Sequence, residues 1–239
     1  VHYLTQPIYK IIFILVLISC WFNGLAQPSE QNSASSKIQY GTDDLLSLGN
    51  PYRPVFRRAQ GHQYFQYSEH DQNGITWVRG VPFKKVMVRY DLELDQVVGK
   101  LWLTDSSRVS LVFETQWLDS FELHQQHFIN AQLFEIDGNT RDYLSRVHFG
   151  KDTFLLEYRK TFIDSYTKVT PYGRYSETGR RFLLISNHQL INISSRKKLY
   201  AQFPEKKDKI KNYLKTNQVK YRRASIAESR IIAAICEGN

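Results

Sequence analysis

Asp91, Glu93 and Asp95 alternate with Leu92 and Leu94. On a strand the three carboxylates share one face. Three hard oxygen ligands there could hold Ca²⁺, or a pair could act as general acid and base. The same alternation is also the ordinary mark of a half-exposed antiparallel strand, with Tyr90, Leu92 and Leu94 facing a core, and that plainer reading is preferred. His124 and His127 form an H-x-x-H pair that would share a face on a helix. Phe121, Leu123, Phe128 and Ile129 around them read as strand or turn, and a strand sends the two imidazoles to opposite faces. Asp137-Gly138-Asn139 opens like a calcium loop, but Arg141 occupies the next ligand position, so a hairpin turn is expected. His62, His70, His148 and His188 stand singly near turns or strands. There is no G-x-S-x-G, P-loop, G-x-G-x-x-G or H-E-x-x-H. No cofactor is implied, and the chain reads as a non-enzyme rather than an enzyme.

Two stretches carry the chemistry of contact surfaces instead. Residues 164–181 hold Tyr166, Tyr172 and Tyr175 with Lys168, Arg174, Arg180 and Arg181. Residues 52–67 hold Tyr52, Arg53, Arg57, Arg58, Tyr64 and Tyr67. Tyr and Arg dominate binding surfaces, and long loops often carry function; a solvated connection is the plainer alternative. Lysine is concentrated further on, at Lys206, Lys207, Lys209, Lys211 and Lys215.

That concentration makes the charge asymmetric. The 239 residues carry 32 Lys+Arg against 23 Asp+Glu, for a net charge of +9. Residues 27–195 contain 19 of each sign, whereas residues 196–230 contain 12 cations and 3 anions. The basicity belongs to one short C-terminal module. A solvated helical face, attraction to an anionic envelope surface or contact with another envelope protein would all use it. Nucleic acid is disfavoured, because no aromatic stacking pattern accompanies the lysines.

The N-terminus reads as an address. Lys10 precedes the apolar run from Ile11 to Trp21, and Gly24-Leu25-Ala26 places small residues where a signal peptidase cuts. Cleavage after Ala26 would leave Gln27 as the mature N-terminus and no transmembrane helix in the mature chain. The run is short for an uncleaved anchor. Leu17-Ile18-Ser19-Cys20 also fits a lipobox, and a lipoprotein anchored at Cys20 is the minor alternative. Of the two cysteines only Cys236 would survive processing, so it is expected as a small buried hydrophobe, with no disulfide and no zinc motif.

The elements that position these groups alternate with period two. Strands are expected near 63–68, 75–79, 84–90, 96–103, 108–113, 121–124, 131–136, 143–149, 153–163 and 182–193. Turns are expected at Asn73-Gly74, Asp105-Ser106, Asp137-Gly138, Gly150-Lys151 and Asn187-His188. Helix-length spacers are missing between the strands, which disfavours a parallel sheet. The expected fold is mainly β: an antiparallel meander forming a sandwich or open, curved barrel, with two or three short C-terminal α-helices. Ser194-Ser195 should cap a helix through Phe203, Pro204 should open another to about Thr216, and Ser225-Ile226-Ala227-Glu228 should box-cap a third through Cys236. Leu199, Phe203, Ile210 and Leu214 give the module one apolar face. The organisation is thus residues 1–26 as signal peptide, 27–50 as flexible leader, 51–195 as β domain and 196–239 as basic helical module.

The pattern Trp77…Gly80-Val81…Val86…Tyr90-Asp91…Asp95 resembles one found in uncharacterised secreted proteins of Gram-negative bacteria. Phe203…Lys206-Lys207…Ile210…Tyr213-Leu214-Lys215…Asn217 is similar to the lysine-rich helical endings of the same group. The resemblance implies export and a β-rich body, and no chemistry. The expected role is that of an exported, non-enzymatic protein of the periplasm or cell envelope acting by binding or assembly. The alternatives are a hydrolase or metal-dependent binder using the Asp91/Glu93/Asp95 strand, or a carrier of an apolar ligand in a curved sheet.

Overall fold

The alternating segments pair into strands β1 (Asn50–Pro51), β2 (Gln72–Val78), β3 (Val81–Asp91), β4 (Gln96–Trp102), β5 (Arg108–Val112), β6 (Leu118–Leu123), β7 (Gln126–Asn130), β8 (Tyr143–Phe149), β9 (Thr153–Arg159), β10 (Phe162–Ile163), β11 (Arg174–Tyr175), β12 (Gly179–Ser186) and β13 (Gln189–Asn192). The structure is a computed structural model and describes residues 49–54, 58–66, 72–102, 107–134, 140–187 and 189–238. Eleven strands form one open antiparallel sheet in the order β1-β5-β4-β3-β2-β6-β7-β8-β9-β12-β13, and β10 pairs with β11 as a separate hairpin. The mainly β, antiparallel, unclosed architecture with C-terminal helices is the one expected.

The sheet curls strongly. From β3 to β8 there are four strand steps, which would separate them by roughly 19 Å if flat. Yet the rings of Tyr90 and Tyr143, on those two strands, lie 6.0 Å apart. The space between is filled by rings: Phe121 stacks on Phe128 at 4.7 Å, and Phe65 contacts Phe128 and Tyr158 at 5.2 and 4.8 Å. Each of these aromatics is buried. Such packing dominates the energetics of a β core.

Strands β8, β9 and β12 are buried on both faces. Phe154, Leu156, Phe182 and Leu184 join the main core, while Leu144, Leu155, Leu183 and Ile129 form a smaller one on the other side. Two-sided burial explains the unbroken apolar run of β9, which alternation alone does not.

Three helices cover the main core: α1 (Arg196–Gln202), α2 (Lys207–Thr216) and α3 (Ile226–Glu237). Ser195 caps α1 through its side chain, and Ser225 and Glu228 form a complete capping box on α3. Pro204 opens a 3-10 turn, Pro204–Lys206, ahead of α2. Gly238 ends α3 in the left-handed region. Leu199, Ile210 and Leu214 are buried, and Phe203 stacks on Phe154 at 5.8 Å. The chain enters α1 beside Phe182, where Ser194 is bonded, and α1 ends at Phe154. After α2, Tyr221 returns to stack on Phe182 and donates to the Ile193 carbonyl.

Several local expectations are corrected. Residues 63–66 form no strand: Tyr64 makes a single bridge to Asp91, while Phe65 plugs the core. Asn73-Gly74 is not a turn but lies within β2, at a register shift beside β3. A Cβ on Gly74 would meet the Glu122 carbonyl at 2.5 Å, so glycine is there for close backbone approach. The hairpin turn is Arg79-Gly80, both at positive φ. Residues 131–134 are a 3-10 turn, because the strand comes earlier, at β7. The 153–163 and 182–193 segments each divide into two strands. The expected leader stops short of residue 50, because Asn50 already pairs with Val112 in β1. Residues 27–48 of the leader, the apolar N-terminal run, Cys20, Asp105-Ser106 and Asp137-Gly138-Asn139 lie outside the described residues.

Candidate binding surface

The Asp91–Asp95 segment is not a strand. β3 ends at Asp91, and residues 92–95 turn into β4, with Asp95 at φ 60°. The three carboxylates therefore separate instead of lining one face. Asp91 is fully buried. Its Oδ1 accepts the backbone N–H groups of Glu93 and Leu94, and its Oδ2 accepts the Tyr52 hydroxyl at 2.8 Å. Glu93 accepts the Tyr175 hydroxyl at 2.9 Å. Asp95 accepts the Tyr90 hydroxyl at 2.6 Å and the Asp142 N–H at 2.8 Å, and Arg141 lies at 3.9 Å. Burial holds the Asp95 carboxyl above the usual carboxylate range, against the pull of these partners. Arg141 also donates to the Leu92 and Glu93 carbonyls. This cluster is a polar rivet that ties the β3–β4 turn to the start of β8 across the curl.

The histidines do not meet these carboxylates. His124 and Gln125, both at positive φ, form the β6–β7 turn. His124 packs edge-on to Phe65, while His127 lies against Trp77 at 5.2 Å and Glu122 at 3.6 Å. Burial lowers both imidazoles from their ordinary range. Among the described residues no three His, Cys, Asp or Glu side chains gather in a way that could hold a metal ion. Cys236 is buried, and burial pushes its thiol up to about 12.

The Tyr/Arg stretch is divided by the fold. Tyr175 is a core residue, packed on Phe162 at 5.6 Å, and Arg181 pairs with the fully buried Glu157 at 2.5 Å alongside Arg159. Arg180 is exposed and donates to the Ala224 carbonyl at 2.6 Å. Tyr166, Tyr172 and Arg174 are exposed.

The lysine-rich module is the most distinctive surface. Eleven of the twelve cations in residues 196–230 are exposed, including Lys207, Lys209, Lys211 and Lys215; Lys206 is half-buried beside Gly238. Among the described residues none of the twelve has an ion-pair partner. A helical face laced by i,i+4 salt bridges would look different. Here Glu205 and Asp208 sit among the lysines without pairing them. The face presents uncompensated positive charge on helices whose apolar sides are committed to the core. Sequence spacing foretold both halves of this arrangement, but only the fold shows that the charges stay unpaired.

Among the described residues no helix is long and apolar enough to cross a membrane, which leaves crossing by strands unaddressed. Comparison with protein-family models, curated proteins and solved structures finds no match to this chain.

Proposed function

We propose that this is an exported, non-enzymatic binding protein of the bacterial cell envelope that docks on anionic membrane surfaces through its C-terminal helical layer. The observation that carries this reading is the row of exposed, unpaired cations on α1, α2 and the Lys220–Arg223 turn. Each lysine near an anionic lipid surface adds roughly 1 kcal/mol, within a Debye length of roughly 8 Å at physiological ionic strength. Export is supported by Lys10, the apolar run and Gly24-Leu25-Ala26, with cleavage after Ala26; a processed chain whose intact mass starts at a lipid-modified Cys20 would replace that step. The binding reading is favoured over the carrier because rings in contact fill the interior of the curl. It is favoured over the enzyme because each carboxylate of the Asp91–Asp95 turn is engaged in holding the fold.

The test is co-sedimentation of the processed chain with anionic and neutral vesicles across a salt series. Wild type should bind anionic vesicles at low salt and lose them steeply as salt rises. The Lys206/Lys207/Lys209/Lys211/Lys215→Gln variant should bind much more weakly. Wild type that ignores anionic vesicles at low salt ends the proposal, and a variant that binds as well as wild type moves the site elsewhere.

A further inference from the structure

The segment between β9 and β12 leaves the sheet after Arg159 and rejoins it at Gly179, directly opposite. It could have been a loose connection. Instead β10 and β11 pair, Gly173 turns at φ +78° beneath the Phe162 ring, and the Thr170 N–H and hydroxyl are both engaged with Thr167. The base is fastened as well: Gln60 exchanges backbone bonds with Gly173 and Tyr175, and the Tyr175 hydroxyl holds Glu93. The result is a built hairpin with a fixed tip.

The tip is apolar where an ordinary surface turn is polar. Tyr166 is 66% exposed, Val169 83% and Tyr172 54%, three of the large hydrophobics most open to water among the described residues, within seven positions. Lys168 stands between them, exposed. Ordering three apolar side chains in water on a rigid hairpin contributes nothing to the core.

The hairpin's position matches the charge. It rises from the end of the sheet where β12 begins, and there Arg180 bonds the Ala224 carbonyl. Ala224 directly follows the exposed pair Arg222 and Arg223, and Arg174 is exposed on the hairpin itself. Arginines and an apolar tip are thus gathered at one end of the molecule, continuous with the helical layer through the turn that links α2 to α3.

We infer that the β10–β11 hairpin is an interfacial anchor: Tyr166, Val169 and Tyr172 enter the headgroup region of an anionic bilayer while the surrounding cations engage lipid phosphates. This rests on the membrane-docking reading above and names its second contact. Tyrosine favours the membrane–water boundary, and a lysine between apolar neighbours can lay its stem along them and keep its ammonium among headgroups. Electrostatic attraction alone is reversible and salt-sensitive, and durable peripheral binding generally combines charge with buried apolar surface.

The experiment uses the processed protein as it is recovered after export, with its N-terminus read by intact mass. Vesicle binding is compared for wild type, the five-lysine→Gln variant and Tyr166/Val169/Tyr172→Ser. A second measurement places an environment-sensitive fluorophore on Val169→Cys, with Cys236 buried and unreactive. The serine variant should bind anionic vesicles at least about tenfold more weakly, with the steep salt dependence retained. The fluorophore should shift to an apolar environment on anionic vesicles. Serine-variant binding equal to wild type, with an unshifted fluorophore, overturns the anchor and leaves the lysine reading intact. Wild type that fails to bind vesicles overturns both. A folded serine variant that keeps vesicle binding but loses a protein partner would make the tip a protein contact and also overturn the anchor.

Discussion

Tyr90 shows how one side chain can hold a curled sheet. Its ring packs against Phe121, Phe128 and Tyr143, and its hydroxyl donates to Asp95. Burial places that phenol well above its ordinary range, which favours the protonated, donating form. Tyr90→Phe should cost about 1–3 kcal/mol, because it leaves a largely buried carboxylate oxygen without its donor. Urea unfolding measures this, and a variant as stable as wild type would remove the rivet from the account of the curl. Glu237 acts at the same scale. Burial pushes its carboxyl up, but the Asp152 N–H, His148 and the Lys151 N–H outweigh this and hold it below the usual range. A depressed carboxylate supplies stability that is complete above its unfolded value, near about 4.3, and is lost as pH falls through the lower folded value. The gap in Tm between wild type and Glu237→Gln should therefore narrow as pH falls from about 7 to about 3. A gap that widens on acidification contradicts the assignment.

At the scale of elements, the two ends of α3 are fastened differently. At its start Ser225 accepts the Glu228 N–H, while the Glu228 carboxylate accepts the Ser225 N–H and is held below its usual range by that bond. Ser225→Ala should cost about 1 kcal/mol. At its end Glu237 reaches the β8–β9 turn, where His148 lies at 2.8 Å and the Asp152 N–H at 2.9 Å. A Cβ on Gly150 would overlap the Glu237 carboxylate, so this turn needs glycine for a tertiary reason. Gly150→Ala should destabilise wild type by about 1–2 kcal/mol and have little effect in a Glu237→Ala background. Thermal unfolding of the four proteins tests this; equal losses in both backgrounds would mean that the turn, not the contact, requires glycine.

For the whole molecule, the charge-balanced body and the cationic helical layer share one core, so the surface charge can change without touching what holds the layer in place. The five-lysine→Gln variant breaks no ion pair, and glutamine is a good helix former. It also relieves like-charge repulsion. Its Tm at low salt should therefore equal or exceed that of wild type. A marked drop would reveal that the lysine stems contribute packing to the layer, and would weaken the separation of binding from stability.

The C-terminal helices were legible in the sequence because their determinants are local: Ser195, Pro204, the Ser225–Glu228 box and the spacing of Leu199, Ile210 and Leu214 act within a few residues. The antiparallel β class was legible from alternation and from the missing crossover helices. The positions of single turns were less so. Asn73-Gly74 has turn chemistry, but Gly74 answers to the Glu122 carbonyl on a neighbouring strand. The Asp91–Asp95 carboxylates read as one face, yet curling of the sheet brings Tyr52, Tyr175 and Asp142 from distant chain positions to separate them. The anchor hairpin had residue types but no period, because its order comes from Gln60 and Glu93. Local hydrogen bonding and spacing are written in neighbouring residues; contacts made across the curl exist only once the chain has closed on itself.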